Sequence, residues 1–111
     1  MRLRSDIWVA AYLRRCASED VAAVLRRRGS PEAGAIVVKI DRLDGTAALF
    51  SPAPQSEPRD GYDRLFARAH ADEWLENEKI EAKIAKEIAF DSDLWIVEVE
   101  DRKGRNFLDL A

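Results

Sequence analysis

A chain of 111 residues, 47% hydrophobic and 35% charged, has the composition of one globular α+β domain spanning 1–111 with its own core. Its single cysteine, Cys16, excludes an intrachain disulfide framework, and no apolar stretch approaches the roughly 18 residues that would span a bilayer. The net charge of −3 is unevenly spread: residues 1–34 hold seven Arg against four Asp or Glu, 35–70 are balanced, and 71–111 hold six basic against twelve acidic side chains.

Met1-Arg2-Leu3-Arg4 followed by Ile7–Leu13 imitates a secretion signal, but Asp6 and the pair Arg14-Arg15 break it. The expectation is therefore a cytoplasmic protein with no membrane contact. Ser5 can cap a helix and Asp6 suits its positive end. Ile7, Trp8, Ala11, Tyr12 and Arg15 then follow at helical spacing, which predicts a helix over about 6–18. The alternation of Ile7, Val9, Ala11 and Leu13 leaves a strand as the other reading.

Beyond Val21 short apolar runs alternate with turn chemistry. Ala22–Arg28 predicts a strand ended by Gly29-Ser30-Pro31, and the β-branched run Ala35–Asp41 predicts a second. Arg42-Leu43-Asp44-Gly45 is a turn, and Thr46–Phe50 supplies the partner strand of a hairpin. Ser51–Gly61, with three of the four prolines, predicts a mobile loop, and Tyr62–Ala69 a fourth strand, with a helical turn as the other reading. Asp72 opens a longer helix over about 72–90, with Ile80, Ile84, Ala85 and Ile88 as its apolar stripe and Glu76–Lys79 and Lys83–Glu87 as pairs at helical spacing. Leu94–Asp101 is a strand with Trp95, Val97 and Val99 on one face, and Arg105–Leu110 would return beside it as a last hairpin. The expected architecture is a mainly antiparallel sheet of five to six strands with one helix at the N-terminus and one before that hairpin.

Several phrases together carry a resemblance. They are Arg4-Ser5-Asp6-Ile7-Trp8-Val9 running into Ala11-Tyr12-Leu13-Arg14-Arg15-Cys16, then Arg27-Arg28-Gly29 before Ala33-Gly34-Ala35. Arg42-Leu43-Asp44-Gly45 and Pro52-Ala53-Pro54-Gln55 follow, and Phe90-Asp91 through Asp93-Leu94-Trp95-Ile96-Val97-Glu98-Val99-Glu100-Asp101-Arg102 completes the set. In this order, over nearly the whole chain, they resemble a bacterial family catalogued as domain of unknown function 1491. The resemblance implies a stand-alone bacterial domain and brings no activity or catalytic residue with it.

The chemistry-bearing groups are incomplete as catalytic constellations. Asp91, Asp93, Glu98, Glu100 and Asp101 form an acidic group, with Glu98 and Glu100 on one strand face and Cα atoms about 6–7 Å apart. Such oxygens suit a hard divalent cation or paired acid and base roles, but no Gly-containing calcium loop surrounds them. The alternative is a solvated face paired with the N-terminal arginines. His70 near Asp72 and Glu73 is the sole histidine, so no zinc set is complete, and Ser51 and Ser92 lack an activating glycine turn. Cys16 lies near a helix end of negative partial charge and reads as a packing thiol. Arg2, Arg4, Arg14, Arg15 and Arg26-Arg27-Arg28 could meet nucleic-acid phosphates, yet on a strand Arg26 and Arg28 share a face that Arg27 leaves.

These observations predict a non-enzymatic interaction or accessory domain that docks a protein partner or another copy of itself, without cofactor or metal. Arg14, Arg15, Arg26, Arg28, Glu98 and Glu100 are the binding candidates. A nucleic-acid-binding domain using the N-terminal arginines and a metal-dependent enzyme using the C-terminal acidic cluster are the two alternatives.

Overall fold

The last strand of the chain enters the middle of the sheet. In the computed structural model, which describes residues 3–54 and 64–111, the elements are α1 (Ser5–Ser18), β1 (Ala22–Arg27), β2 (Ile36–Asp41), β3 (Thr46–Pro52), β4 (Phe66–Arg68), β5 (Leu75–Glu76), α2 (Asn77–Phe90) and β6 (Trp95–Glu100). The sheet runs β1-β6-β2-β3-β4, with β5 on β3. Among the described strands, β6 and β2 pair in parallel and the other strand pairs are antiparallel. The fold is therefore α+β with two helices and a six-stranded, mostly antiparallel open sheet.

The two-residue period of the strands sorts the apolar side chains into two layers. Val38, Ile40, Phe50, Trp95, Val97 and Val99 face Val9, Tyr12 and Cys16 of α1. Val37, Ala47, Leu49, Leu94 and Ile96 face Ile80 and Ile84 of α2. Each Val, Leu, Ile or Phe side chain among these contributes about 1.5–3 kcal/mol of transfer free energy when fully buried. The buried stripe of α1 is Ser5, Val9, Tyr12 and Cys16, one position on from the expected set, and Ile7 is exposed. Trp8 stacks on Tyr12 at 4.9 Å, and the Tyr12 hydroxyl donates to the Asn106 carbonyl at 2.6 Å.

Ser5 does not cap the helix. It is fully buried as the first helical residue, donating to the Gly34 carbonyl and accepting from the Arg64 guanidinium. The loop it holds wraps around the chain before β6. The Ser30 amide donates to the Asp93 carbonyl, and the Trp95 indole donates back to the Ser30 carbonyl at 2.7 Å. A Cβ on Gly29 would collide with that Asp93 carbonyl and come within 2.6 Å of the Trp95 ring, so glycine is required by close approach.

Two expectations are corrected. The second helix begins at Asn77, not near 72: Leu75 and Glu76 pair with Ala47 and Thr46 as β5, and Asp72 offers its carbonyl to His70 instead of capping. Trp74 is held out of the helix beneath the Arg42 guanidinium, 4.0 Å from its ring centre. Nor is there a last hairpin, because β1 and β2 already occupy both edges of β6. Residues 105–110 run instead toward β4, where Leu110 bridges Phe66. The hairpin β2–β3 forms where expected, with the Asp41 and Asp44 carboxylates accepting from the Leu43 and Thr46 amides. Most of the expected proline loop, from 55 onward, and the start of the expected fourth strand at 62–63 lie outside the described residues.

His70 substitutes for a strand residue. Its Nε2 accepts the Leu49 amide at 3.0 Å, so Nδ1 carries the proton donated to the Asp72 carbonyl. Burial pushes the imidazole pKa down, favouring this neutral form. The linked stability is complete above the ordinary 6.5 and is lost as pH falls through the lowered value. His70→Ala should cost about 1–3 kcal/mol at pH 7.5, the cost of an abandoned buried donor, and should flatten the acid-side decline of the urea midpoint. Gly29→Ala should cost about 1–3 kcal/mol in the same urea unfolding, at pH 7.5 and on the acid side alike.

Candidate functional site

On the α2 face, the apolar character of the sheet gives way to charge at one end. Lys39 stands directly opposite Glu98 in the parallel register, as Asp41 stands opposite Glu100. Lys39 is 3% exposed, yet its ammonium is 2.6 Å from Glu81 of α2 and 3.7 Å from Glu98. Arg26 completes the group, forking onto both Glu81 oxygens at 2.8 and 2.9 Å and reaching Glu98 at 3.1 Å. Two cations and two carboxylates thus join β1, β2, β6 and α2. The hydrogen bonds from Arg26, then Lys39, hold the Glu81 carboxyl well below its ordinary range, at about 2.

A bulge positions Arg26. The register passes from Leu25 opposite Val97 to Arg27 opposite Ile96, so Arg26 is the extra residue. The expected alternation of the arginine run is thereby overturned. Arg26 reaches Glu81 and Glu98, and Arg27 stays on the same side of the sheet, donating to the Ser92 and Leu94 carbonyls. Arg28 lies over the Trp95 ring at 5.2 Å, on the α1 side. Arg15 lies 5.2 Å from the Phe107 ring and 3.8 Å from Glu19, and Arg14 is exposed on α1. The six candidate residues therefore divide: Arg26, Glu98 and Glu100 come together, while Arg14, Arg15 and Arg28 do not join them. Cys16 is fully buried and burial raises its thiol pKa, as suits packing rather than nucleophilic attack.

Beside this network lies a groove of about 380 Å³, lined by Ala22, Ala23, Val24, Arg26, Glu98 and Glu100. Val24 is 58% exposed there. Carboxylate oxygens of Asp41, Glu98 and Glu100 lie within 4.8 Å of one another, close enough to converge on a hard cation, but Glu98 is already held by Arg26 and Lys39. Lys39, Glu81 and Asp41 were not among the sequence candidates. A lone charge inside the run Ile36–Ile40 was the available signal for Lys39; nothing local marked Glu81 among the charges of α2.

Removing the Lys39 ammonium leaves two carboxylates facing one guanidinium. Lys39→Met should destabilise by about 1–3 kcal/mol in urea unfolding, and Lys39→Met with Glu81→Met should regain most of that loss. The Glu81 pairing contributes stability that is complete above about pH 4.5 and fades as pH falls toward 2. Glu81→Gln should accordingly show a shallower acid limb than the unaltered chain.

The model of the family described as "Protein of unknown function (DUF1491)" matches residues 3–109. No curated protein matches the chain. A crystal structure of a DUF1491 family protein from Caulobacter crescentus CB15 is 36% identical, with a TM-score of 0.80 over 100% of this chain and 99% of that one. The solution structure of protein Atu0922 from A. tumefaciens is 37% identical, with a TM-score of 0.83 over 100% and 96%. An NMR structure of a DUF1491 family protein from Caulobacter crescentus CB15 is 38% identical, with a TM-score of 0.82 over 100% and 98%. This chain belongs to the DUF1491 family.

Proposed function

We propose that the domain is a protein-interaction module whose docking surface is the outer edge of β1 together with the groove beside it. One observation carries this reading: the two edges of the sheet are treated differently. The β4 edge is covered by the end of the chain, where the Phe66 amide donates to the Asp109 carbonyl at 2.8 Å and the Ala111 amide donates to the Phe66 carbonyl. The β1 edge pairs only inward, with β6, and among the described residues no backbone hydrogen bond reaches its outer side. An exposed row of strand amides and carbonyls is a template for an added strand, and alternate side chains give selectivity.

The dispersal of the N-terminal arginines favours this reading over phosphate binding. Arg26 is engaged by carboxylates, Arg27 by carbonyls, and Arg28 lies on the opposite face. The reading includes a bacterial, cytoplasmic setting, supported by the relatives from Caulobacter crescentus and A. tumefaciens and by the single buried, unbridged thiol.

The test is a photo-crosslinking amino acid placed at position 24 or, as a control at the far side of the sheet, at position 86 of the full chain in living cells. Adducts at position 24 and none at 86 are the expected result. Absence of adducts at 24 overturns the reading.

A further inference from the structure

Residues 19–28 read Glu-Asp-Val-Ala-Ala-Val-Leu-Arg-Arg-Arg: two acids, five apolar residues, then three bases. Such a strand is complementary to itself when reversed and repels itself when aligned in parallel. We propose that the β1 edge is occupied by a second copy of this chain, the two β1 strands pairing antiparallel about a two-fold axis. This deepens the reading of β1 as a docking edge and rests on it.

Directly opposed residues of an antiparallel pair project from the same face of the sheet. In a two-fold pair the opposed positions are therefore of equal parity, and one residue lies on the axis. Setting Val24 there opposes Ala22 to Arg26 and Ala23 to Leu25. It also brings the acidic start of each copy, Glu19 and Asp20, alongside the arginine run of the other. Val24 and Ala22 line the groove and Val24 is 58% exposed, so the centre of the contact is apolar and lacks an intrachain cover. The basic end is held in place before docking: Arg26 by Glu81 and Glu98, Arg27 by the Ser92 and Leu94 carbonyls, and Arg28 over Trp95. The acidic end is fixed by the close of α1, where the Val21 amide donates to the Cys16 carbonyl and Asp20 takes a φ of 60°.

The bulge at Arg26 leaves Ala22–Leu25 in regular register, with Arg27 alone pairing beyond it, opposite Ile96. Together with the arginines it turns away strands that lack an acidic start. A four-residue ladder is a small interface, so the association belongs to the micromolar range and is weakened by salt.

Sedimentation equilibrium of the purified full chain, from about 10 µM to about 1 mM, tests the proposal. The mass should rise from 12.6 kDa toward twice that value. The midpoint concentration should increase at least about fivefold between 0.05 and 0.5 M salt. Val24→Lys should be monomeric throughout with an unchanged thermal melt, because the side chain is exposed. Arg28→Glu and Asp20→Lys should each be monomeric alone, yet form a mixed dimer when combined, since both ends are then complementary. Should the Asp20 variant not fold, Glu19→Lys takes its place.

A purified chain that stays monomeric, a Val24→Lys variant that still dimerises, or a mixture no heavier than its parts overturns self-pairing. If self-pairing fails while position 24 crosslinks in cells to a species of another mass, the docking edge stands with a different partner. Failure of both experiments removes both readings.

Discussion

The fold depends on the insertion of β6 between β1 and β2. Two strands consecutive in the chain are held apart by one that arrives about 70 residues after β1 ends, as the chain positions and the strand order together require. Trp95, Val97 and Val99 pack toward α1, and Leu94 and Ile96 toward α2, so β6 unites both layers of the core. Its entry is fixed by a reciprocal pair: Ser30 donates to the Asp93 carbonyl and Trp95 donates to the Ser30 carbonyl. The glycine at 29 is what allows the two segments to approach. Until β6 docks, β1 has no strand partner at all, so the basic edge and its bulge exist only in the completed sheet.

The same insertion creates the charge network. Parallel pairing of β6 with β2 sets Glu98 against Lys39, and antiparallel pairing with β1 sets it against Val24, next to the bulged Arg26. Glu81 then bridges the two cations from α2. A nearly buried ammonium is tolerable only when its partners are fixed, and these come from two separate elements, Glu81 of α2 and Glu98 of β6, each braced in turn by Arg26 of β1. The network therefore penalises any register in which β6 slips by one residue, since Glu98 would leave the α2 face.

Much of the local structure was legible from residue chemistry. The β-branched run at 36–41, the Asp-Gly turn before Thr46 and the alternation of 95–100 specify strands by side-chain period and turn geometry, without reference to the rest of the chain. What was not legible depended on distant segments. Asp72 offers a good cap, but pairing of Leu75 with Ala47 and burial of Trp74 under Arg42 delay the helix to Asn77. Arg105–Leu110 could pair locally with β6 only if that strand had a free edge. The pairing of Arg26 with Glu98 was visible as opposite charge between the ends of the chain, but the roles of Lys39 and Glu81 required the sheet order.

Sheet order also decides what the surface can do. A mostly antiparallel open sheet has two edges, and the chain's last residues run along only one, at Phe66. The other edge begins with Glu19 and Asp20 and ends with three arginines whose side chains are already committed to carboxylates, carbonyls and an aromatic ring. Had those arginines been unsupported, ordering them on docking would cost about 0.5–1.5 kcal/mol each. Internal pairing removes much of that cost, and Arg27 and Arg28, held by carbonyls and an aromatic ring rather than by carboxylates, keep their positive charge at the strand's end. The contacts that make the arginines poor phosphate ligands thus make them a fixed, directional charge for an approaching strand.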